Sequence, residues 1–103
     1  MLSLIDHEGD RVRLSDERLG HILEHRELQG MLDEIRHALR DPELVVRSLS
    51  DEHAALSYRR CDRTVVGDKW LCVVVKYEAK GAFVLTAYLT DSIKKGEVLW
   101  RKR

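Results

Sequence analysis

His21 and His25 stand four residues apart in the segment RLGHILEHREL. On a helix that spacing places both imidazoles on one face. Imidazole titrates near neutral pH, so the pair suits proton transfer. The spacing also fits half of a metal site, but zinc needs further ligands, and the chain has neither an HExxH motif nor a cysteine cluster. A third reading is a surface role near a helix end, where the dipole favours His. His7, His37 and His53 lie in polar contexts and carry no signal of their own. No metal or other cofactor is expected.

A second group of chemically useful residues lies further on. Guanidinium and ammonium groups bind phosphate, and hydroxyls orient it. Arg59, Arg60, Lys76, Thr86, Tyr88 and Thr90 have those properties and fall in segments that read as strands. Alternation puts Phe83, Leu85, Ala87 and Leu89 on one face of the last long strand, with Ala82, Val84, Thr86, Tyr88 and Thr90 on the other. The first set is the expected core face. Trp70, Cys72, Val74 and Lys76 share a side of the preceding strand, and Lys76 is expected on the open face. Leu56 and Tyr58 look core-facing, which assigns Arg59 to the open face, although alternation alone does not decide between Arg59 and Arg60. The competing reading is an ordinary solvated sheet face, where Thr and Lys are common.

The elements that must position these groups follow from periodicity. Leu2 to Leu14, broken by His7-Glu8-Gly9-Asp10, fits a short hairpin. Ser15 with Asp16 and Glu17 is a helix start, and the first helix runs to about Arg26 with Leu19, Ile22 and Leu23 as its apolar stripe. Met31, Leu32, Ile35, Ala38 and Leu39 repeat at three and four, giving a second helix over about Gln29 to Arg40, ended before Pro42. Beyond Pro42 the pattern turns to β over Leu44 to Leu49, Leu56 to Cys61, Lys69 to Tyr77, Ala82 to Thr90, and Val98 to Trp100. Connections this short imply an antiparallel meander. The expected fold is therefore α+β, one domain over residues 1–103, with N-terminal helices packed on one face of a C-terminal antiparallel sheet of four or more strands.

Composition sets the limits. With 103 residues, 44% of them hydrophobic, and a single Pro, the chain can bury one modest core and is not disordered. No long apolar run marks a membrane span and the N-terminus lacks the features of a secretory signal, so a cytoplasmic protein is expected, with Cys61 and Cys72 as reduced thiols. Net charge is zero, yet residues 1–55 carry 7 basic and 13 acidic side chains and residues 56–103 carry 11 and 5. The resulting +6 in the C-terminal half leaves room for an anionic ligand, and the alternative is mutual neutralisation of the halves within a monomer or across a homodimer.

Four segments together carry a family resemblance: RLGHILEHREL, SYRR, KWLCVVVKY and GAFVLTAYLTDSIKKGEVLW. Over residues 14 to 101 the chain resembles phage- and mobile-element-associated nuclease-like domains of the barnase, colicin and RelE-like toxin superfamily. Arg26 departs from the Pro usual after the second His of that pattern. The resemblance implies helices on a four-stranded antiparallel sheet and metal-independent RNA cleavage by attack of the 2′-OH on phosphate. Such chemistry needs a base, an acid and a cation. The residues it nominates are His21 or His25 for proton transfer, Arg59 or Lys76 for charge, and Thr86 with Tyr88 for positioning phosphate, with RNA as substrate and an antitoxin or immunity protein as partner. The alternative is an inactive binding module of the same fold, and a weaker one is a His-based metal binder. A nuclease site requires His21 or His25, a sheet Arg or Lys, and Tyr88 to meet in one cleft.

Overall fold

In the computed structural model, which describes residues 1–103, seven strands form one mixed sheet. Strands β1 (Leu2–Ile5) and β2 (Arg11–Leu14) make a hairpin. Helix α1 (Asp16–Leu23), a 3₁₀ turn (Arg26–Leu28) and helix α2 (Leu32–Arg40) follow. The chain then builds β3 (Leu44–Arg47), β4 (Ala54–Thr64), β5 (Gly67–Glu78), β6 (Gly81–Thr90) and β7 (Val98–Arg101). The spatial order is β1-β2-β6-β5-β4-β3-β7.

This corrects the expected layout. The β1–β2 hairpin precedes the helices and joins the sheet, because β2 pairs with β6 through Val12 and Ala82. That pairing is parallel, so the sheet is mixed rather than purely antiparallel, and it has seven strands rather than four. The crossover that a parallel pair requires is the whole stretch between β2 and β6. The β3-to-β6 meander is antiparallel as its short turns require. β7 returns to the outer edge of β3.

The helices form where their caps and stripes place them. Ser15 Oγ accepts from the Arg18 amide, and Asp16 and Glu17 occupy the positive end of α1. α1 is shorter than the His spacing suggests and ends before His25, which precedes the 3₁₀ turn in extended backbone. α2 buries Ile35, Ala38 and Leu39. These join Leu4, Val12, Leu14, Ile22, Leu28, Leu71, Val73, Val75, Ala82, Val84 and Ala87 in the main core between the helices and the sheet.

Two details of this packing overturn the strand-face reading. The register between β5 and β6 slips between Val74 and Val75, since Val74 faces Thr86 while Val75 faces Val84. Leu85 is the extra residue of a bulge, and its carbonyl accepts from the Arg18 guanidinium on α1 at 3.0 Å. A bulge reverses the alternation on one side of it, so Ala82 and Val84 join Ala87 on the helix face. Phe83, expected there, sits opposite Lys76 on the other face. The second detail is in β4. Leu56 and Tyr58 pair with Val74 and Cys72, which places them on the face away from the helices, while Ser57 and Arg59 take the helix side.

Nor is that other face open. Val46, Leu56, Tyr58 and Cys72 form a second buried cluster, flanked by Leu44, Trp70, Val74, Tyr88 and Ile93. The residues 91–97 that link β6 to β7 lie over it as a strap. β6 and β7 are four places apart, roughly 19 Å at normal strand spacing, and the eight steps from Thr90 to Val98 could reach about 27 Å when extended, so the strap spans the sheet with room for its bends.

Candidate functional site: a carboxylate-free groove beside the strap

On the strap side of the sheet a groove of about 530 Å³ runs between the β3–β4 connection and the strap. Ser48, Leu49 and Ser50 form one bank, Leu56, Val74, Thr86 and Tyr88 the floor, and Lys94 and Lys95 the other bank. No carboxylate lines it.

The strap is fixed by the floor. The Lys94 amide donates to Tyr58 Oη at 3.0 Å, and Tyr58 is fully buried. The Lys94 ammonium lies 5.4 Å from the Tyr88 ring centroid, a cation–π contact. Burial raises the pKa of Tyr88 well above that of a free phenol, so it stays neutral, and its Oη is buried without a hydrogen-bond partner. That Oη is sealed beside Cys72 and Tyr58 in the second cluster, so Tyr88 offers the groove its ring rather than its hydroxyl. Opposite, the Ser48 and Ser50 hydroxyls are 3.0 Å apart, and Ser48 Oγ also accepts from the Ser50 amide.

The lysines differ in what they face. Lys69, Lys76 and Lys102 each pair with an aspartate, respectively Asp91, Asp51 and Asp41. Lys94 and Lys95 pair with none. Two unneutralised ammonium groups beside hydroxyls, on a floor that holds no competing carboxylate, are suited to the oxygens of an anion such as phosphate.

The residues nominated from the sequence divide between two faces. Thr86 and Tyr88 line the groove. Lys76 shares their face, two residues along β5 from Val74, but its ammonium is bonded to Asp51. Arg59 is on the helix side, where its guanidinium donates to the Asp41 carbonyl at 2.7 Å and lies 3.4 Å from the Asp41 carboxylate. The guanidinium on the strap face belongs instead to Arg60, which stacks 5.5 Å from Trp70. His21 and His25 belong to the helix layer, 63% and 66% exposed, beside Glu17, Glu24 and Glu27 at 3.7–3.8 Å. Ile22 between them packs into the main core. The sheet therefore stands between the imidazoles and Tyr88, and the expected convergence does not occur.

Lys94, Lys95, Ser48 and Ser50 were missed in the sequence reading. Lys94-Lys95-Gly96 reads there as a turn before the last strand, and only a β7 that docks beyond β3 makes it a strap. No three His, Cys, Asp or Glu side chains converge into a metal-binding group. No helix is long and apolar enough to cross a membrane. No family model, curated protein or solved structure matches the chain.

Proposed function

We propose that the chain is an RNA-binding domain that seats a phosphodiester in the groove beside the strap. The observation that carries this reading is that two ammonium groups without a carboxylate partner, Lys94 and Lys95, line a groove that has no carboxylate. RNA is named as the polymer because of the resemblance to toxin-type nucleases. Lys94 and Lys95 supply charge, while Thr86, Ser48 and Ser50 supply hydrogen bonds to the phosphate oxygens.

A second reading, metal-independent cleavage of that RNA in the same groove, is favoured by one feature. The Tyr88 ring lies on the groove floor beside a lysine, and its phenol, kept neutral by burial, could give a proton to a leaving oxygen if its buried Oη turned out into the groove. Against it, the groove has neither imidazole nor carboxylate to take the 2′-OH proton, and His21 and His25 lie across the sheet. Binding is therefore the stronger reading.

The test incubates labelled structured RNA with the protein in the presence of a chelator and follows anisotropy and RNA length together. Binding without cleavage, weakened in Lys94→Ala/Lys95→Ala, is expected. Cleavage lost in Tyr88→Phe while binding persists would establish the second reading, and failure of the wild type to bind would remove both.

A further inference from the structure

On the helix face of the sheet, the β1–β2 turn reaches across to β3, β4 and β7 and encloses a separate cleft of about 300 Å³. His7 is its centre. The His7 side chain is 7% exposed, and neither ring nitrogen has a hydrogen-bond partner. Its ring is backed by Trp100 of β7, with centroids 5.4 Å apart. The Glu8 carboxylate lies 3.5 Å from Nε2 without completing a hydrogen bond.

The other polar groups are already engaged or are acidic. Asp6 is buried; its Oδ1 accepts from the Glu8 and Asp10 amides and its Oδ2 from the Tyr77 hydroxyl. The Arg47 guanidinium donates to Glu97 and to the Glu52 carbonyl. Glu8, Asp10 and Glu52 remain on the rim, with His53 3.5 Å from Glu52. Val45, Ala54, Ala55 and Leu99 form the apolar wall. The charge of this cleft is thus the inverse of that of the groove, since four carboxylates surround one committed guanidinium.

We propose that the cleft is a binding site for a small organic cation that ends in a guanidinium or primary ammonium group. A neutral imidazole presents one acceptor nitrogen and one donor, and a cationic N–H group supplies the acceptor with its partner. The rim carboxylates stabilise the positive charge, and the apolar wall accommodates a short methylene chain. At about 30 Å³ per water-sized group, the volume admits roughly ten heavy atoms. That is the size of a free diamine derivative or of one arginine side chain. Anionic ligands are disfavoured by the four carboxylates, and a metal ion lacks three converging ligands. The site is independent of the RNA reading.

Titration calorimetry with agmatine as the free cation, and with N-acetyl-arginine amide as the peptide-borne one, tests the assignment. Saturable one-to-one binding is expected, at least tenfold weaker in Glu8→Gln/Asp10→Asn, whose two positions are exposed, and abolished in His7→Phe. Binding of agmatine alone would assign a free amine, and binding of both would assign an arginine side chain. Lys94→Ala should bind like the wild type. No saturable heat with either probe, or equal affinity in the Glu8→Gln/Asp10→Asn variant, would overturn the proposal.

Discussion

Gly96 sits where the strap crosses β3, and replacing it tests whether the strap is held as described. A Cβ built there falls well inside 3.0 Å of the Arg47 carbonyl oxygen and 2.6 Å from Val46 Cγ1. The first of these is backbone and cannot rotate away. It belongs to the same residue whose amide donates to the Glu97 carbonyl at 2.8 Å. Gly96→Ala must therefore push the strap off β3 or bend β3 itself. Overpacking of this kind costs about 1–3 kcal/mol. For a domain of this size each kcal/mol lowers the midpoint temperature by about 4–8 °C. Thermal and urea unfolding by circular dichroism would show the loss. Because the strap carries Lys94 and Lys95, RNA affinity should fall as well. Gly20→Ala is the matched control: it lies inside α1 with nothing within 4 Å of its Cβ, and it should gain about 0.5–1 kcal/mol with RNA affinity unchanged. A Gly96→Ala protein as stable as the wild type would refute the tight strap.

Other outcomes follow from single groups. Tyr77→Phe leaves the buried Asp6 carboxylate without one of its donors and should cost about 1–3 kcal/mol by urea unfolding. Burial, with Asp6 next in effect, raises the Tyr77 pKa above its ordinary 10.0. Its contribution is complete below pH 10 and declines as pH rises beyond it, so alkaline destabilisation should be shallower in Tyr77→Phe. Asp51 moves the other way. The hydrogen bond from Lys76, then that from the His53 amide, lowers its pKa below 3.8, so the stability it contributes is present above about pH 3.8 and is lost as pH falls below it. Lys76→Met should flatten that part of an acid unfolding series. Cys61 and Cys72 are free and lie on opposite faces of the sheet, and burial raises both thiols. Alkylation of the folded protein should label Cys61 slowly and spare Cys72, and denatured protein should take up two labels; a disulfide-linked form would contradict this.

How far the sequence led depends on whether local or distant contacts decide. Ser15 with its acidic followers starts α1, and Ile35, Ala38 and Leu39 mark the buried stripe of α2, because a cap and a period are local. The four long β segments were legible for the same reason. The sheet order was not, since pairing of Val12 with Ala82 is a contact between distant segments. The bulge at Leu85 defeated the reading of β6: Phe83 and Leu85 are larger than Ala82 and Val84, so hydrophobicity alone favours the wrong face. Tyr58 and Leu56 were correctly read as buried but assigned to the helix layer, because a second core under the strap leaves no signal within β4. Thr86 and Tyr88 were found through alternation beyond the bulge. His21 and His25 drew attention by spacing, whereas His7 did not, because its burial is created by Trp100 from the far end of the chain.

The proposed groove would hold phosphates through Lys94 and Lys95. The most direct measurement is the affinity for a short single-stranded RNA as a function of salt, for the wild type, Lys94→Ala/Lys95→Ala and His21→Ala/His25→Ala. If the two lysines each neutralise one phosphate, their loss should weaken binding and reduce the slope of log affinity against log salt by about 1.4, at roughly 0.7 per contact with a single strand. The histidine variant should keep both affinity and slope. An unchanged slope in the lysine variant, or its loss in the histidine variant, would contradict the groove as the RNA site and move it to the helix layer.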